Sequence, residues 1–139
     1  MSVAILLAAL SACQSAGGAA PAGQAVGETV SVSGGSYRNI SAAELRAMLA
    51  RKDFFLVDVH VPNEGHLKET DARIPYDKIE GNVSSLPADK EARIVLYCRS
   101  GRMSQIAAEK LVQLGFRNIW NLETGMVGWQ EAGYPLEPN

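Results

Sequence analysis

The sequence predicts an α/β fold, with a central, mainly parallel sheet flanked by helices on both faces. Residues 54–59 and 94–97 are apolar runs without polar alternation, broken only by Asp58 near the end of the first run. Strands of this kind are buried on both faces, as in parallel sheets. Segments with helical spacing lie between them, which is the order of elements in α/β folds. At 139 residues, nearly half of them apolar, the chain has room for one such domain.

Helix and strand signals alternate from Tyr37 onward. Ser41 and Glu44 form a capping box, which predicts a helix that ends near Lys52. Further predicted elements are a strand at 54–59, an irregular segment at 60–75, a short helix at 76–85, a strand at 94–97, a helix from Ser104 to Gly115, a strand at 116–122 and a short helix at 126–132. These elements define a predicted domain over residues 37–139.

The N-terminus carries a predicted secretion signal. Residues 2–12 are apolar or small, and this run is shorter than the ~20 apolar residues of a membrane-spanning helix. Leu10-Ser11-Ala12-Cys13 resembles the lipobox of bacterial lipoproteins. That resemblance implies a signal peptide at residues 1–12, cleavage before Cys13, and acylation of Cys13 as a membrane anchor. The alternative is an apolar tail with an incidental cysteine.

Residues 13–36 are predicted to be the lipidated cysteine and a flexible tether. They are rich in Ala, Gly, Ser and Gln and hold almost no large apolar side chain, so they bury too little surface to offset ordering. The expected location is the bacterial cell envelope, with the domain lipid-anchored outside the cytoplasm and most simply a monomer.

Composition argues against several other classes of function. The formal net charge is −2, and the chain has no basic stripe, so no nucleic-acid partner is expected. Cys13 and Cys98 form no Cys-x-x-Cys pair and belong to no cluster with zinc-ligand spacing. His60 and His66 are too isolated to propose as metal ligands. The sequence therefore predicts neither a metal nor a cofactor.

Cys98 follows the second apolar strand, at the position where α/β folds place their ligands. In such a strand–loop–helix turn, backbone N–H groups can converge as an anion-binding nest at the start of the helix. Gly101 permits the backbone geometry that this turn needs, and Arg99 and Arg102 add positive potential. A cysteine in this setting favours its thiolate form. The alternative is an inert buried cysteine.

The run from Tyr97 to Ser104, Tyr-Cys-Arg-Ser-Gly-Arg-Met-Ser, resembles the active-site loop of single-domain rhodaneses. The likeness extends over about Tyr37 to Pro135, through Leu56-Val57-Asp58-Val59, Gly65-His66, Ile74-Pro75-Tyr76, Leu114-Gly115-Phe116, Asn121-Leu122-Glu123, Gly125-Met126 and Trp129. It implies a sulfurtransferase whose Cys98 takes sulfur from thiosulfate, a persulfide or a polysulfide. Cys98 would hold it as a persulfide and pass it to a thiol or cyanide.

The same resemblance implies a substrate-binding loop and one supporting residue. The loop residues are Arg99, Ser100, Gly101, Arg102, Met103 and Ser104. Asp58, at a strand end, is expected to support loop amides or an arginine rather than take part in chemistry. Two positions depart from the family pattern: Met103 and His60 stand where basic residues are common. We therefore expect a persulfide carrier rather than an efficient thiosulfate sulfurtransferase.

Two other functions stay open from the sequence. Cysteine phosphatases and arsenate reductases bind an oxyanion with an arginine six positions after the cysteine, and that position is Ser104 here. A rhodanese-like sensing or binding module would present Cys98 to sulfide or polysulfide without turnover.

Overall fold

The computed structural model describes residues 26–139, which fold as one mixed sheet with helices on both faces. The strands are β1 (Glu28–Val32), β2 (Gly35–Ile40), β3 (Phe55–Asp58), β4 (Ala72–Arg73), β5 (Ile94–Tyr97) and β6 (Ile119–Leu122). The α-helices are α1 (Ala42–Leu49), α2 (Arg102–Gln113) and α3 (Gly125–Glu131), and two 3₁₀ segments cover Tyr76–Lys78 and Glu80–Ser85.

The strand order is β1-β2-β6-β5-β3-β4. Every neighbouring pair is parallel except β1 and β2, which are antiparallel, so the predicted mainly parallel α/β sheet is confirmed. In register, Asp58 lies opposite Tyr97, and Leu96 lies opposite Asn121. The carboxyl ends of the parallel strands therefore form one edge of the sheet, and the loop that begins at Cys98 leaves from that edge.

Alternate residues of the central strands point into two separate cores. On one side Val57, Leu96, Cys98 and Ile119 pack with the buried face of α2. On the other side the residues next to them in sequence pack with α1 and α3, and this second core includes Leu56, Val95, Tyr97, Trp120, Leu45, Met126 and Trp129. Both sheet faces are covered, which is why these strands are apolar except at Asp58 and Asn121.

The N-terminal boundary differs from the predicted one. The tether was expected to run to residue 36, but β1 and the start of β2 already form a hairpin in residues 28–36. The β-branched residues Thr29, Val30 and Val32 favour an extended strand, and Val30 and Val32 pack against the core on the α2 side. The predicted signal peptide at 1–12 and Cys13 lie outside the described residues.

Three internal elements also differ from their predicted bounds. Helix α2 begins at Arg102 rather than at Ser104, because the left-handed Gly101 already ends the loop (φ 98°). The irregular segment 60–75 contains the short strand β4, and the helix expected over 76–85 is two 3₁₀ segments. Among residues 26–139, no helix is both long and apolar enough to cross a membrane.

Candidate active site

Cys98 lies between the end of β5 and the start of α2, with 1% of its surface exposed. Its side chain points to the α2 side of the sheet, where it packs with the core that contains Val57 and Leu96. The amides of Arg102, Met103 and Ser104 are the first of α2, and an α-helix leaves its first amides without intrahelical acceptors. The sulfur is thus held at the positive end of a twelve-residue helix.

Two donors contact the sulfur directly. The amide of Gly101 donates to Cys98 Sγ at 3.1 Å, and the hydroxyl of Ser104 lies 3.4 Å from the same atom. Ser104 Oγ also lies 3.1 Å from the carbonyl oxygen of Gly101, and its single hydrogen serves one acceptor at a time. Ser104 is fully buried, so its hydroxyl can exchange only between these two acceptors or a group placed beside the sulfur.

Close backbone packing fixes the conformation of this loop. Gly101 has φ 98°, in the left-handed region, and a Cβ there would lie 1.8 Å from the carbonyl oxygen of Glu123. The loop therefore lies directly on the turn between β6 and α3. The sequence argument that Gly101 is needed for this turn agrees with its geometry.

The start of α3 holds the other side of the loop. The amide of Met126 donates to the carbonyl of Cys98, and that of Val127 to the carbonyl of Arg99, both at 2.9 Å. A Cβ on Gly125 would lie 2.5 Å from each of these two carbonyl oxygens. Sequence reasoning did not assign Gly125 to the site. Its signal, a glycine just before an apolar helix, is shared by many helix starts.

The two arginines of the loop have different surroundings. Arg99 is exposed, and its Nη1 lies 3.2 Å from both carboxylate oxygens of Glu64. Arg102 is exposed, and no ion pair connects it to another residue in the described part of the chain. The loop cation that precedes Gly101 is therefore paired, and the one that follows Gly101 is free to meet an anion.

The remaining loop residues divide between solvent and core. Ser100 is exposed. Met103 is half-buried and packs against the α2-side core. Its thioether contributes apolar contact there and no charge.

Asp58 is buried on the opposite side of the sheet from Cys98. Its Oδ1 accepts a hydrogen bond from the amide of His60 at 2.9 Å, while Oδ2 has no hydrogen-bond partner among residues 26–139. Burial raises the pKa of Asp58, and the His60 amide opposes that shift. Through the hydrogen bond with the His60 amide, Asp58 holds the start of the loop after β3.

Glu64 is a site residue that sequence reasoning missed. Its Oε2 lies 2.7 Å from Nε2 of His60, which is only 8% exposed, and the same carboxylate contacts Arg99. The hydrogen bond with His60, and then the Arg99 charge, lower the pKa of Glu64. Because residues 59–65 are irregular, no helical or strand spacing predicts that His60, Glu64 and Arg99 meet.

His66 lies away from Cys98 and contacts Arg73 through Nδ1. In residues 26–139 no group of three His, Cys, Asp or Glu side chains is arranged to hold a metal ion.

Comparison with known proteins identifies the class. The family model for the rhodanese-like domain matches residues 41–132. A sulfurtransferase of Allochromatium vinosum is 33% identical over 61% of this chain and 79% of that protein. A thiosulfate sulfurtransferase of Pseudoalteromonas translucida is 28% identical over 70% of this chain and 92% of its own length.

Solved structures agree on the fold. A rhodanese-related protein of Thermoplasma volcanium superimposes with a TM-score of 0.62 at 32% identity, over 72% of this chain and 97% of that one. A Rhodopseudomonas palustris protein described as a possible tyrosine phosphatase has a TM-score of 0.60 at 23% identity, over 70% of this chain and 82% of its own, a likeness of fold alone. The chain belongs to the rhodanese-like domain family, and its relatives include sulfurtransferases.

Proposed function

We propose that this protein carries sulfane sulfur as a persulfide on Cys98 and passes it to a thiophilic acceptor. The observation that carries the proposal is the surroundings of Cys98 Sγ. The sulfur accepts a hydrogen bond from the Gly101 amide, lies next to the Ser104 hydroxyl, and stands at the start of α2. These donors stabilise negative charge on sulfur, both in the thiolate and in a persulfide.

In the loading step the Cys98 thiolate attacks the outer sulfur of the donor. With thiosulfate, a new S–S bond forms to Cys98, the S–S bond of thiosulfate breaks, and sulfite leaves with the electron pair. The product is a Cys98 persulfide anion, so charge and electrons balance without an external oxidant. The Gly101 amide and the free amides of α2 are the groups placed to bind its negative outer sulfur.

In the unloading step the acceptor attacks the outer sulfur of the persulfide. Cyanide gives thiocyanate and a thiol gives a new persulfide, and in both cases Cys98 leaves as thiolate. The Gly101 and Ser104 donors stabilise this leaving group, because they contact Sγ itself. The domain returns to its starting state after each transfer.

Alkyl persulfides, which carry one negative charge on sulfur, are the donors that the charges favour over the dianion thiosulfate. Met103 supplies no cation, and Arg99 is paired with Glu64, which leaves Arg102 as the free cation of the loop within the described residues. A dianion gains less from this loop than from one with two or three free cations.

The direct test is mass spectrometry of the full-length protein after exposure to thiosulfate or polysulfide. We expect the mass of one extra sulfur atom, mapped to Cys98 and absent in Cys98→Ser. A Cys13→Ser variant keeps the adduct and so separates the two cysteines. If wild-type protein gains no sulfur on Cys98 from either donor, the carrier function is wrong.

A sensing or binding module is the second candidate, because the sulfur of Cys98 is almost inaccessible at 1% exposure. A buried persulfide would be shielded from acceptors as well as from water. The two functions differ in whether the sulfur on Cys98 is released to an acceptor. To test this, loaded protein is mixed with cyanide and the thiocyanate formed is measured. Release with return of the unmodified mass supports the carrier, whereas a persistent adduct supports the sensing module.

We also propose that Cys13 is acylated and anchors the domain to a bacterial envelope membrane. The Leu-Ser-Ala-Cys run at residues 10–13 supports this proposal. Membrane fractionation of cells that express wild-type or Cys13→Ala protein tests it. Wild-type protein should sediment with membranes and the variant should be released, and equal partition of the two would exclude the anchor. A tag attached after Asn139, which is exposed, should be removed by a protease added to spheroplasts if the domain is outside the cytoplasm.

A further inference from the structure

Among residues 26–139, Glu64 is the only acidic side chain that forms an ion pair or side-chain hydrogen bond with the cysteine loop, residues 98–104. Arg99 Nη1 lies 3.2 Å from both oxygens of this carboxylate. Arg99 follows Cys98 directly, and its guanidinium would otherwise be the nearest cation along the chain to the reactive sulfur. Glu64 therefore offsets the charge of the loop cation that is next to Cys98 in the sequence.

The carboxylate of Glu64 is fixed independently of Arg99. Its Oε2 lies 2.7 Å from Nε2 of His60, a side chain with only 8% of its surface exposed. The backbone of His60 is held in turn by the buried Asp58, through the amide bond at 2.9 Å. Exposed ion pairs usually form and break freely, but one member of this pair is positioned by a buried imidazole.

Chain contacts also hold the segment that carries Glu64. The amide of Gly65 donates to Oδ1 of Asn139, and His66 exchanges two backbone hydrogen bonds with Glu137. Glu64 is thus a positioned countercharge rather than a mobile surface residue.

We propose that Glu64 sets the donor preference of this protein, disfavouring dianionic sulfur donors relative to donors of lower charge. The proposal rests on the carrier function proposed above and names the residue that selects its substrate class. Glu64 acts through Arg99 and through its own field, without contact to the reacting sulfur. The Cys98 thiolate attacks the outer sulfur of every donor in the same way. A change in the relative loading rates of two donors therefore reflects their difference in charge rather than a different reaction.

The proposal is tested with two donors that transfer the same kind of outer sulfur atom but differ in charge. Thiosulfate is a dianion that releases sulfite, and the methanethiosulfonate anion is a monoanion that releases methanesulfinate. In both, the Cys98 thiolate attacks the outer sulfur and the sulfur–sulfur bond breaks. Single-turnover loading of full-length protein is followed by mass spectrometry at low ionic strength, in wild type and in Glu64→Gln.

The expected effect scales with donor charge. At the same separation, removing one negative charge changes the Coulomb energy of a dianion twice as much as that of a monoanion, so a gain in loading of about two- to threefold for the monoanion corresponds to about four- to ninefold for the dianion. The ratio of the two rates therefore rises two- to threefold. The gain should fade as salt is raised, because the screening length drops to about 3 Å at 1 M.

The chain offers a matched control at the other end of α2. Glu80 forms the same kind of exposed pair, with Lys110 at 3.3 Å, eight residues beyond the helix start at Arg102. Glu80→Gln removes the same charge and should leave the donor ratio unchanged. Glu64→Asp keeps the charge and should keep the wild-type ratio.

Three results would overturn the proposal. These are an unchanged donor ratio in Glu64→Gln, an equal loss of rate with both donors, and the same ratio change in Glu80→Gln. Each of these leaves the carrier function standing, since sulfur still reaches Cys98. Wild-type protein that takes up no sulfur from these two donors or from polysulfide would instead refute the carrier function, and the Glu64 proposal with it.

Discussion

The cysteine loop at residues 98–104 and the segment between β3 and β4 at residues 59–71 meet at the same sheet edge but are held in different ways. Backbone contacts hold the cysteine loop: Gly101 lies on the carbonyl of Glu123, and α3 donates to the carbonyls of Cys98 and Arg99. Many side-chain contacts hold the other segment, among them the bond of His60 to Glu64. Most side-chain substitutions can therefore change the charge of the second segment without moving the backbone around the sulfur, whereas a substitution at Gly101 moves that backbone directly.

The largest effect is expected from Gly101→Ala. A Cβ would lie 1.8 Å from the Glu123 carbonyl, so the loop or the β6–α3 turn must move. We expect sulfur loading to fall by at least tenfold and the free energy of unfolding to drop by about 2–4 kcal/mol. Denaturant unfolding and the loading assay measure the two effects.

Gly115→Ala is the matched control. Gly115 has a similar positive φ of 91°, but a Cβ there meets no atom within 4 Å. It should cost only the left-handed strain, about 1 kcal/mol, and leave loading unchanged. Equal losses in the two variants would show that backbone strain, and not close packing, holds the cysteine loop.

The next largest effect is expected from Tyr97→Phe, which tests the side-chain contacts of the segment between β3 and β4. The hydroxyl of Tyr97 accepts from the amide of Leu67 at 3.0 Å and lies 2.8 Å from Oγ1 of Thr70. Its removal leaves a buried N–H unpaired, at about 1–3 kcal/mol, whereas loading should change less than twofold. A large loss of loading would mean that the two regions are coupled.

Tyr97 also predicts an alkaline effect. Burial, and then the nearby Asp58, raise the pKa of Tyr97 to about 12, above the usual 10.0. A phenol with a raised pKa in the folded state contributes stability that is complete below pH 10.0 and is lost as the pH rises toward 12. The free energy of unfolding of the wild type should fall between pH 9 and pH 12. In Tyr97→Phe the fall should be smaller, because the contribution of Tyr97 is absent. Parallel pH profiles for the two proteins would refute the assignment.

Ser104→Ala tests the cysteine loop with a smaller change. The hydroxyl contacts both Cys98 Sγ and the Gly101 carbonyl, and that carbonyl keeps its bond from the Gln105 amide. We expect a stability loss of about 1 kcal/mol and a fall in loading of several-fold. Ser84→Ala, at an exposed position, is the control. Unchanged loading in Ser104→Ala would leave Gly101 as the donor that matters.

The smallest effect is expected from Arg73→Gln. Arg73 is exposed and contacts His66 and Asn139 at the rim of the segment between β3 and β4. Exposed polar contacts of this kind contribute about 0.5 kcal/mol or less, so thermal unfolding should shift only slightly. A loss comparable to that of Tyr97→Phe would show that the rim, rather than the buried hydroxyl, holds this segment.

The sequence predicts those elements whose structure depends on a local apolar pattern. It does not predict contacts between segments that are far apart in the chain. Strand β5 and the capping box of α1 were predicted because burial and local hydrogen bonding act within a few residues. The family likeness pointed to Cys98 and Gly101 for the same local reason. Glu64 and Gly125 reach the loop from 34 positions before and 27 positions after Cys98 in the numbering. Such contacts arise only from tertiary packing.

The N-terminal hairpin was missed for a different reason. Residues 28–36 hold few large apolar side chains, so composition favoured a tether. Pairing with β2, which continues into the sheet beside β6, supplies the order that composition lacks.

That hairpin also determines at which edge of the sheet the chain enters the domain. Because β1 is antiparallel to β2, Glu28 lies opposite Asn39, and the chain enters the domain at the carboxyl-end edge from which the Cys98 loop also leaves. Any segment before residue 26 therefore joins the domain at the edge of the sheet that carries the Cys98 loop. If Cys13 anchors the domain as proposed, the point of attachment and Cys98 would lie at the same edge of the sheet. Sulfur would then be transferred close to the membrane surface.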